Sequence, residues 1–303
     1  VVLCLGADWQ ADHVSAAAAL RPAGIRLVRM IYDLIPTLKP QWMEPEMTRV
    51  ITLWVREALV HSDTLLTISE FSRREIEGYC AEIGIQPPAL AVVRLGDLFA
   101  EADTEEWPPL PRFVPSRPFF LCVSTFDVRK NHRLLFDAWS RLAAADAPAC
   151  PDLVCVGVPH LFATDVLHEI RRDRAVNGRM HMLHGIADAE LRWYYRNCQA
   201  TIYPSRYEGW GLPVAESLAH GRLCLASRAA SMPEIGPDLT EFFDPHDVNA
   251  LVALVRRVLD EPDWVRRREE AIRSGYRPTR WTDTAAQVLA AIGRTSSGDA
   301  AAA

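Results

Sequence analysis

Apolar runs of strand length alternate with helical patterns along the whole chain. That alternation predicts parallel sheets wound with helices, an α/β class. In the first third, Val1–Leu5, Arg26–Ile31, Thr64–Ile68 and Ala91–Leu95 are the expected strands. Helices are expected between them, over Ala11–Leu20, Pro45–His61 and Glu70–Glu82. The stretch Glu101–Pro111 is polar and proline-rich, and is the expected linker. Beyond it, strands are expected at Phe119–Ser124, Leu153–Gly157, Met180–His184, Ala200–Tyr203, Leu223–Ser227 and Glu241–Asp244. The intervening helices are expected over His132–Ala145, Ala163–Arg174, Ala187–Asn197, Val214–His220, Val248–Asp260 and Asp263–Ser274, with a last one over Trp281–Ile292. The implied division is a first domain over 1–105, a second over 106–280, a helix over 281–293 packing back towards the first domain, and a small, polar, disordered tail over 294–303.

With 303 residues the chain can bury two substantial cores. Its 49% hydrophobic and 24% charged content is that of an ordinary globular protein. A net charge of −6 argues against general nucleic-acid binding. The seven cysteines are odd in number and include no Cys-x-x-Cys pair; several lie in apolar runs such as Phe119–Val123. Buried, reduced thiols in a reducing, cytoplasmic compartment are expected. No apolar run approaches the roughly 18 residues of a membrane span. No signal-peptide pattern opens the chain. Peripheral contact with the inner face of the cytoplasmic membrane stays open, although the first domain is not basic.

The densest chemistry lies in Tyr203–Glu216, which reads Tyr-Pro-Ser-Arg-Tyr-Glu-Gly-Trp-Gly-Leu-Pro-Val-Ala-Glu. An apolar strand enters it and a helix leaves it near Pro213. Between them, Gly209-Trp210-Gly211 forms a turn flanked by Glu208 and Glu216. A strand, a glycine turn and a helix N-terminus make a phosphate cradle. The flanking carboxylates suit neutral hydroxyls instead. The segment therefore fits a ligand that is part phosphate and part polyol, such as a nucleotide sugar.

This segment resembles the E-x7-E signature of the large retaining glycosyltransferase family 4, through the pattern P-S-x-x-E-G-x-G-L-P-x-x-E-S. The resemblance runs to about Ile292. It implies a GT-B fold, with two Rossmann-like doubly wound domains facing a cleft. It places Glu208 by the transferred sugar, Glu216 on the nucleotide ribose, and Gly209, Trp210, Gly211 and Leu212 along the diphosphate and sugar. Members usually open with a strand and a glycine-rich loop, and nothing like these precedes Val1. An amino-terminal truncation of the first domain, or an unusually short member, is the expectation.

Other stretches carry the resemblance further. Ser124–Arg133 follows a strand and sets Arg129 and Lys130 just before a helix that Asn131 could cap. Two cations at a helix N-terminus oppose its dipole unless an anion lies between them. The stretch is similar to the family's R-K-N-H loop, whose cations neutralise the diphosphate leaving group. Ser124-Thr125 stands where many members have Gly-Arg, which leaves Thr125 as a donor contact and Arg129 as the phosphate partner. Met30–Pro36 resembles the H-D-L-x-P stretch and offers Asp33 for catalysis beside Lys130 and Glu208, with Tyr32 in place of the usual His. Ser69-Glu70-Phe71-Ser72 resembles the S-E-F-S segment; Ser69 is a plausible N-cap and Ser72 with Glu75 a capping box. Gly96 matches the glycine before the interdomain linker. His184–Asp188, with Ile186, resembles the loop that meets the base, mainly through backbone. Glu234 is more simply structural, and Asp244–Asp247 a turn into a helix.

The favoured reading is a retaining hexosyltransferase in surface-polysaccharide synthesis, working without metal or other cofactor. Its donor is expected to be a nucleotide diphosphate sugar, with GDP-mannose the best guess. Its acceptor is expected to be a glycan or lipid-linked sugar. A non-catalytic nucleotide-sugar-binding or partner subunit is the alternative, and turnover separates the two. A nicotinamide-dependent oxidoreductase is disfavoured, because Val214 stands where G-x-G-x-x-G needs its third glycine. No histidine pair has metal-binding His-x-x-x-His spacing, and no Asp-x-Asp follows a strand.

Overall fold

The computed structural model describes residues 1–6, 9, 12–97, 111–159 and 164–298. Its contacts group into two compact units: Val1–Gly96 with Glu208–Trp210 and Thr279–Ala303, and Asp97–Tyr207 with Gly211–Pro278. The first unit ends ahead of the expected boundary at 105. Most of the expected linker, residues 101–110, lies outside the described residues.

The first unit holds a parallel sheet of β1 (Val2–Cys4), β2 (Leu27–Met30), β3 (Thr64–Thr67) and β4 (Ala89–Val92), in that spatial order. Both central strands are buried along their whole length, as strands covered on two faces must be. Helix α1 (His13–Leu20) links β1 to β2. Between β2 and β3 run a short helix, α2 (Ile35–Leu38), and the long α3 (Pro45–His61). The sequence reading has no counterpart for α2, which opens on Pro36 in its first turn. Helix α3 buries Trp54, Val55, Ala58 and Leu59, a stripe of helical period, against Ile31, Leu65 and Ile76. Helix α4 (Glu70–Glu82) is capped by Ser69, whose hydroxyl accepts from the Ser72 N–H at 2.9 Å. The expected capping box of Ser72 and Glu75 does not form, because Ser72 is already the third helical residue.

The second unit holds six parallel strands: β5 (Phe119–Val123), β6 (Asp152–Val156), β7 (Met180–Leu183), β8 (Thr201–Tyr203), β9 (Cys224–Ser227) and β10 (Glu241–Phe243). Their spatial order is β10-β9-β8-β5-β6-β7. The chain builds outward from β5 to β7, then returns to the other side of β5 for β8 and builds outward again. This is the doubly wound Rossmann order, and its reversal lies between β5 and β8. The helices are α5 (His132–Ala145), α6 (Thr164–Arg172), α7 (Asp188–Asn197), α8 (Leu212–Ala219), α9 (Val248–Asp260) and α10 (Pro262–Gly275). Phe119 and Leu121 pack with Tyr194 and Tyr195 of α7 on one face of the sheet. Phe120 meets Trp139 of α5 edge-on, at 5.9 Å between ring centres. The indole of Trp139 is fully buried, and its N–H donates to the Pro151 carbonyl at 2.8 Å.

The last helix, α11 (Trp281–Gly298), groups with the first unit. Thr284 donates its hydroxyl to the Arg94 carbonyl at 2.8 Å, and the Gln287 amide oxygen accepts from the Arg94 N–H at 3.0 Å. The Trp281 ring lies over Gly96, 2.7 Å from where a Cβ would stand, so close packing accounts for that glycine. The helix continues past the expected end at Ile292 and into the expected disordered tail. No proline stops it there. Residues 299–303 lie outside the described residues. All seven cysteines are free, six of them buried.

Candidate nucleotide-sugar site

In an open α/β sheet, ligands bind outside the carboxyl ends of the strands, where the strand order reverses. In the second unit that point lies between the loop after β5 and the loop after β8. The two loops are laced together. Arg129 takes the Arg206 N–H on its carbonyl at 2.9 Å and donates its guanidinium to the Tyr207 carbonyl at 2.8 Å. Lys130 donates to the Tyr203 hydroxyl at 2.8 Å, its ammonium 5.3 Å from that ring's centre. Both cations sit in a short 3-10 turn, Val128–Lys130, capped by the Asp127 carboxylate on the Arg129 N–H at 2.8 Å.

Asn131 follows in a left-handed conformation, with φ of 60°. Its side chain does not cap α5 as expected. Instead its amide donates to the Pro204 carbonyl at 3.1 Å and the Pro245 carbonyl at 2.9 Å. One side chain thus ties the loops after β5, β8 and β10.

Across the switch point, α8 begins after Gly211, which holds φ at 151°. No side chain caps this helix and no acid lies in its first turn. Its N-terminal dipole therefore stays available to an anion. On the next turn stands Glu216. Burial raises its pKa above the ordinary carboxylate value, the Tyr195 hydroxyl donating to it at 2.9 Å pulls the other way, and the Asp97 and Asp188 charges push up again. Tyr195 in turn stacks on His220, at 4.9 Å. Burial, then Arg196, Arg192 and Arg222, lower the His220 pKa to about 4, so its ring is neutral at pH 7.

Thr125 is exposed at the start of the loop after β5. Ile186 lies after β7, its side chain packed against the core of Phe119 and Tyr194. Its loop is strapped by Arg112, which donates to the His184 carbonyl at 3.3 Å and the Gly185 carbonyl at 3.1 Å and pairs with Glu190 at 3.1 Å. The second unit thus brings Thr125, Arg129, Lys130, Ile186, Gly211, Leu212 and Glu216 onto the loops and helix start beyond its strand ends.

The remaining candidates, Asp33, Glu208, Gly209 and Trp210, group with the first unit. Asp33 turns the chain after β2, its carboxylate accepting from the Ile35 N–H at 2.9 Å. A Cβ on Gly209 would lie 2.8 Å from the Asp33 side chain and 3.0 Å from the Tyr32 carbonyl, so only glycine fits. Ser72 donates to the Gly209 carbonyl at 3.3 Å. Glu208 is buried, and so is the Trp210 indole, with the Arg94 guanidinium 5.0 Å from its ring centre. The Tyr32 hydroxyl donates to the Leu5 carbonyl at 2.7 Å.

A family-wide sequence profile described as "Glycosyl transferases group 1" matches residues 103–277, more than half of the chain. The chain belongs to that family. Among relatives, it is 26% identical over 240 residues to "O-antigen chain mannosyltransferase B" of Escherichia coli, covering 79% of this chain and 62% of that protein. It is 27% identical over 287 residues to "MMP alpha-(1->4)-mannosyltransferase" of Mycolicibacterium hassiacum, covering 88% and 66%. The chain thus spans just under two thirds of the length of both relatives. Among solved structures, an α,α-trehalose-phosphate synthase of Burkholderia xenovorans, in complex with glucose-6-phosphate, is similar with a TM-score of 0.71 at 15% identity, over 96% of this chain and 72% of that one. Anabaena HepE in complex with UDP is similar at 0.69 and 15%, over 96% and 78%. The fold is GT-B, as the resemblance implied.

The group 1 profile covers every second-unit candidate as well as Glu208, Gly209 and Trp210, but not Asp33. Four further residues shape these sites without a signal of their own role in the sequence. Tyr195 orients Glu216, Tyr203 holds Lys130, and Asn131 ties three loops. The fourth is Glu75, whose carboxyl oxygen Oε2 is buried without a hydrogen-bond partner. Burial first, then the Asp33 charge, against a smaller pull from Lys39, raise its pKa to about 7. The first unit therefore carries a carboxyl group that titrates near neutrality beside Asp33.

Proposed function

We propose that this group 1 chain serves a retaining, metal-independent hexosyltransferase that moves mannose from GDP-mannose to a glycan or lipid-linked acceptor in surface-polysaccharide synthesis. The supporting observation is the switch point of the second sheet: two cations in one loop, and an uncapped helix start with a partly buried carboxylate in the facing element. Arg129 and Lys130 neutralise the diphosphate as it leaves. The backbone at Gly211 and Leu212 meets the phosphates, and Thr125 the donor at the loop start. Glu216, held by Tyr195, accepts the ribose hydroxyls, and the loop at Ile186 meets the base through its backbone. Glu208 and Asp33 serve the transferred sugar and the incoming hydroxyl, while Gly209 and Trp210 place the turn. The reaction then rests on positioning and electrostatics rather than on a covalent sugar–enzyme intermediate.

The names of the two relatives above support mannose, and the first of them supports the polysaccharide setting. No helix among the described residues is long and apolar enough to cross a membrane. Work in the cytoplasm, at the inner membrane face where lipid-linked acceptors lie, belongs to the same proposal. The test is a melting-temperature screen of GDP, GDP-mannose, UDP and UDP-glucose, since a ligand of the folded state raises the midpoint. The guanine nucleotides are expected to give the larger shift. A larger uracil shift overturns the donor assignment, and no shift from any nucleotide overturns the whole reading.

A further inference from the structure

Cys122 and Cys155 are register partners on β5 and β6. His132 opens α5 on the same face of the sheet, against the ring of Phe126 at 4.8 Å. The two thiol sulfurs and an imidazole nitrogen all lie within 4.8 Å of one another. Ser124 completes the group: its hydroxyl is 3.9 Å from the Cys122 sulfur and 3.5 Å from His132 Nε2. Both cysteines are fully buried and His132 is 2% exposed. His132 Nδ1 is buried with no hydrogen-bond partner. Nε2, the nitrogen beside the Ser124 hydroxyl, is the one placed to share a ligand with it.

We infer that Cys122, Cys155 and His132 form a site for a borderline-soft divalent cation such as zinc, with the Ser124 hydroxyl or a water as fourth ligand. Two sulfurs and one imidazole select zinc, or cobalt in its place, over magnesium and calcium, which take oxygen. Zinc–sulfur bonds of about 2.3 Å and zinc–nitrogen bonds of about 2.0 Å set tetrahedral ligands roughly 3.5–4 Å apart. The observed group needs only a small closure to reach that spacing. Binding releases the two thiol protons to solvent, and the neutral imidazole donates its lone pair. The ion carries no step of sugar transfer. It pins β5, β6 and the start of α5 together immediately beneath the loop of Arg129 and Lys130, which fixes where those cations stand.

The probe is cobalt(II), added to the reduced, metal-stripped protein. The expected result is about one equivalent bound per chain, a thiolate-to-cobalt charge-transfer band, the ligand-field bands of a tetrahedral ion, displacement by zinc, and a raised melting temperature. Cys155→Ser and His132→Ala are each expected to weaken binding at least about tenfold, the smallest loss even for an outer ligand contact. Cys4→Ser, in the other unit, is expected to leave it unchanged. X-ray absorption of the zinc-loaded wild-type protein needs no variant, and is expected to show two sulfur neighbours and an imidazole. Failure of the folded protein to bind cobalt, an absorption spectrum with no sulfur neighbours, or binding indifferent to Cys155→Ser would each overturn the assignment. So would preferential formation of a Cys122–Cys155 disulfide that persists in the presence of zinc.

Discussion

The two units use the same parallel βα architecture and end up with opposite chemistry. In the second sheet the strand order reverses beside β5, the kind of point at which open α/β sheets take a ligand. In the first sheet the spatial order follows the chain, β1-β2-β3-β4, and no such reversal exists among the described strands. The second unit arms its switch point with Arg129, Lys130 and a helix start, the groups that hold an anion. The first unit gathers carboxyl groups instead: Asp33, Glu75 and Glu208. Under the proposed function, binding of a charged donor and the chemistry on a neutral sugar have opposite electrostatic needs, and the two sets of groups would each serve one of them.

Substitutions can break that division of labour, and the largest effect is expected in the first unit. Glu208→Gln is expected to lower kcat by about 10²–10³-fold while the melting temperature and GDP affinity stay near wild type. Steady-state kinetics of a preparation that transfers sugar would show it; near-normal turnover would remove Glu208 from the chemistry. Next come the cations of the second unit. Arg129→Ala and Lys130→Ala are each expected to weaken GDP binding by about 1–3 kcal/mol, the scale of a lost charge-assisted bond. Calorimetry with guanosine should show almost no change, and equal losses for guanosine and GDP would mean that these residues shape the loop rather than hold phosphate.

A smaller effect sharpens the role of Glu216. Tyr195→Phe removes its hydrogen bond, so the Glu216 pKa should rise further and GDP affinity fall by about 0.5–1.5 kcal/mol. The loss should be greatest at the acidic end of the binding profile, where the freed carboxyl is protonated first. A uniform loss across pH would point to core packing instead. Smaller still is a slope in stability set by Glu75. Its folded pKa of about 7 lies above the ordinary 4.5. Between those values the folded chain keeps a proton that the unfolded chain has released, so this group makes stability fall as pH rises through that window. Glu75→Gln should flatten the fall and raise the melting temperature above neutrality, with little change at the acidic end. An unaltered slope would mean that Glu75 is already charged in the folded chain. Finally, added magnesium or manganese is expected to leave transfer unchanged, which a rate titration checks; a strong stimulation by either would place a metal in the chemistry.

Much of the fold could be read from the pattern of residues. Helices α3, α4, α5 and α9 begin and end where the periodicity places them, because their buried stripes are regular and their ends carry Pro45, Ser69 or Asp247. Each strand among the described residues overlaps an expected apolar run, most within a residue or two at either end, with β4 ending three residues early. The glycine turn and its flanking acids were legible because a close approach of backbone leaves a glycine in the sequence. What stayed hidden depends on distant partners. Nothing local marks Glu208–Trp210 as belonging with the first unit, since Asp33, Ser72 and Arg94 lie more than a hundred residues earlier in the chain. Asn131 looked like a cap because its two acceptors lie on loops that follow other strands. The Cys122, His132 and Cys155 group carries no familiar spacing, because its members come from two strands and a helix start. Glu75 looked like a capping acid, and only burial beside Asp33 makes it a neutral-range group.

The Asn131 amide also bears on how the protein ages. Loss of ammonia from an asparagine exchanges one NH2 for an oxygen, a change of a single heavy atom. Here that exchange would turn two donated hydrogen bonds into a carboxylate facing the carbonyl oxygens of Pro204 and Pro245. Neither proline has an N–H to offer in return. Three loops would be pushed apart by the atom that had joined them. At 2% exposure Asn131 is screened from the water that completes the reaction. The lifetime of the loop that carries Arg129 and Lys130 against this change is therefore tied to how often the second unit opens enough to wet that one side chain.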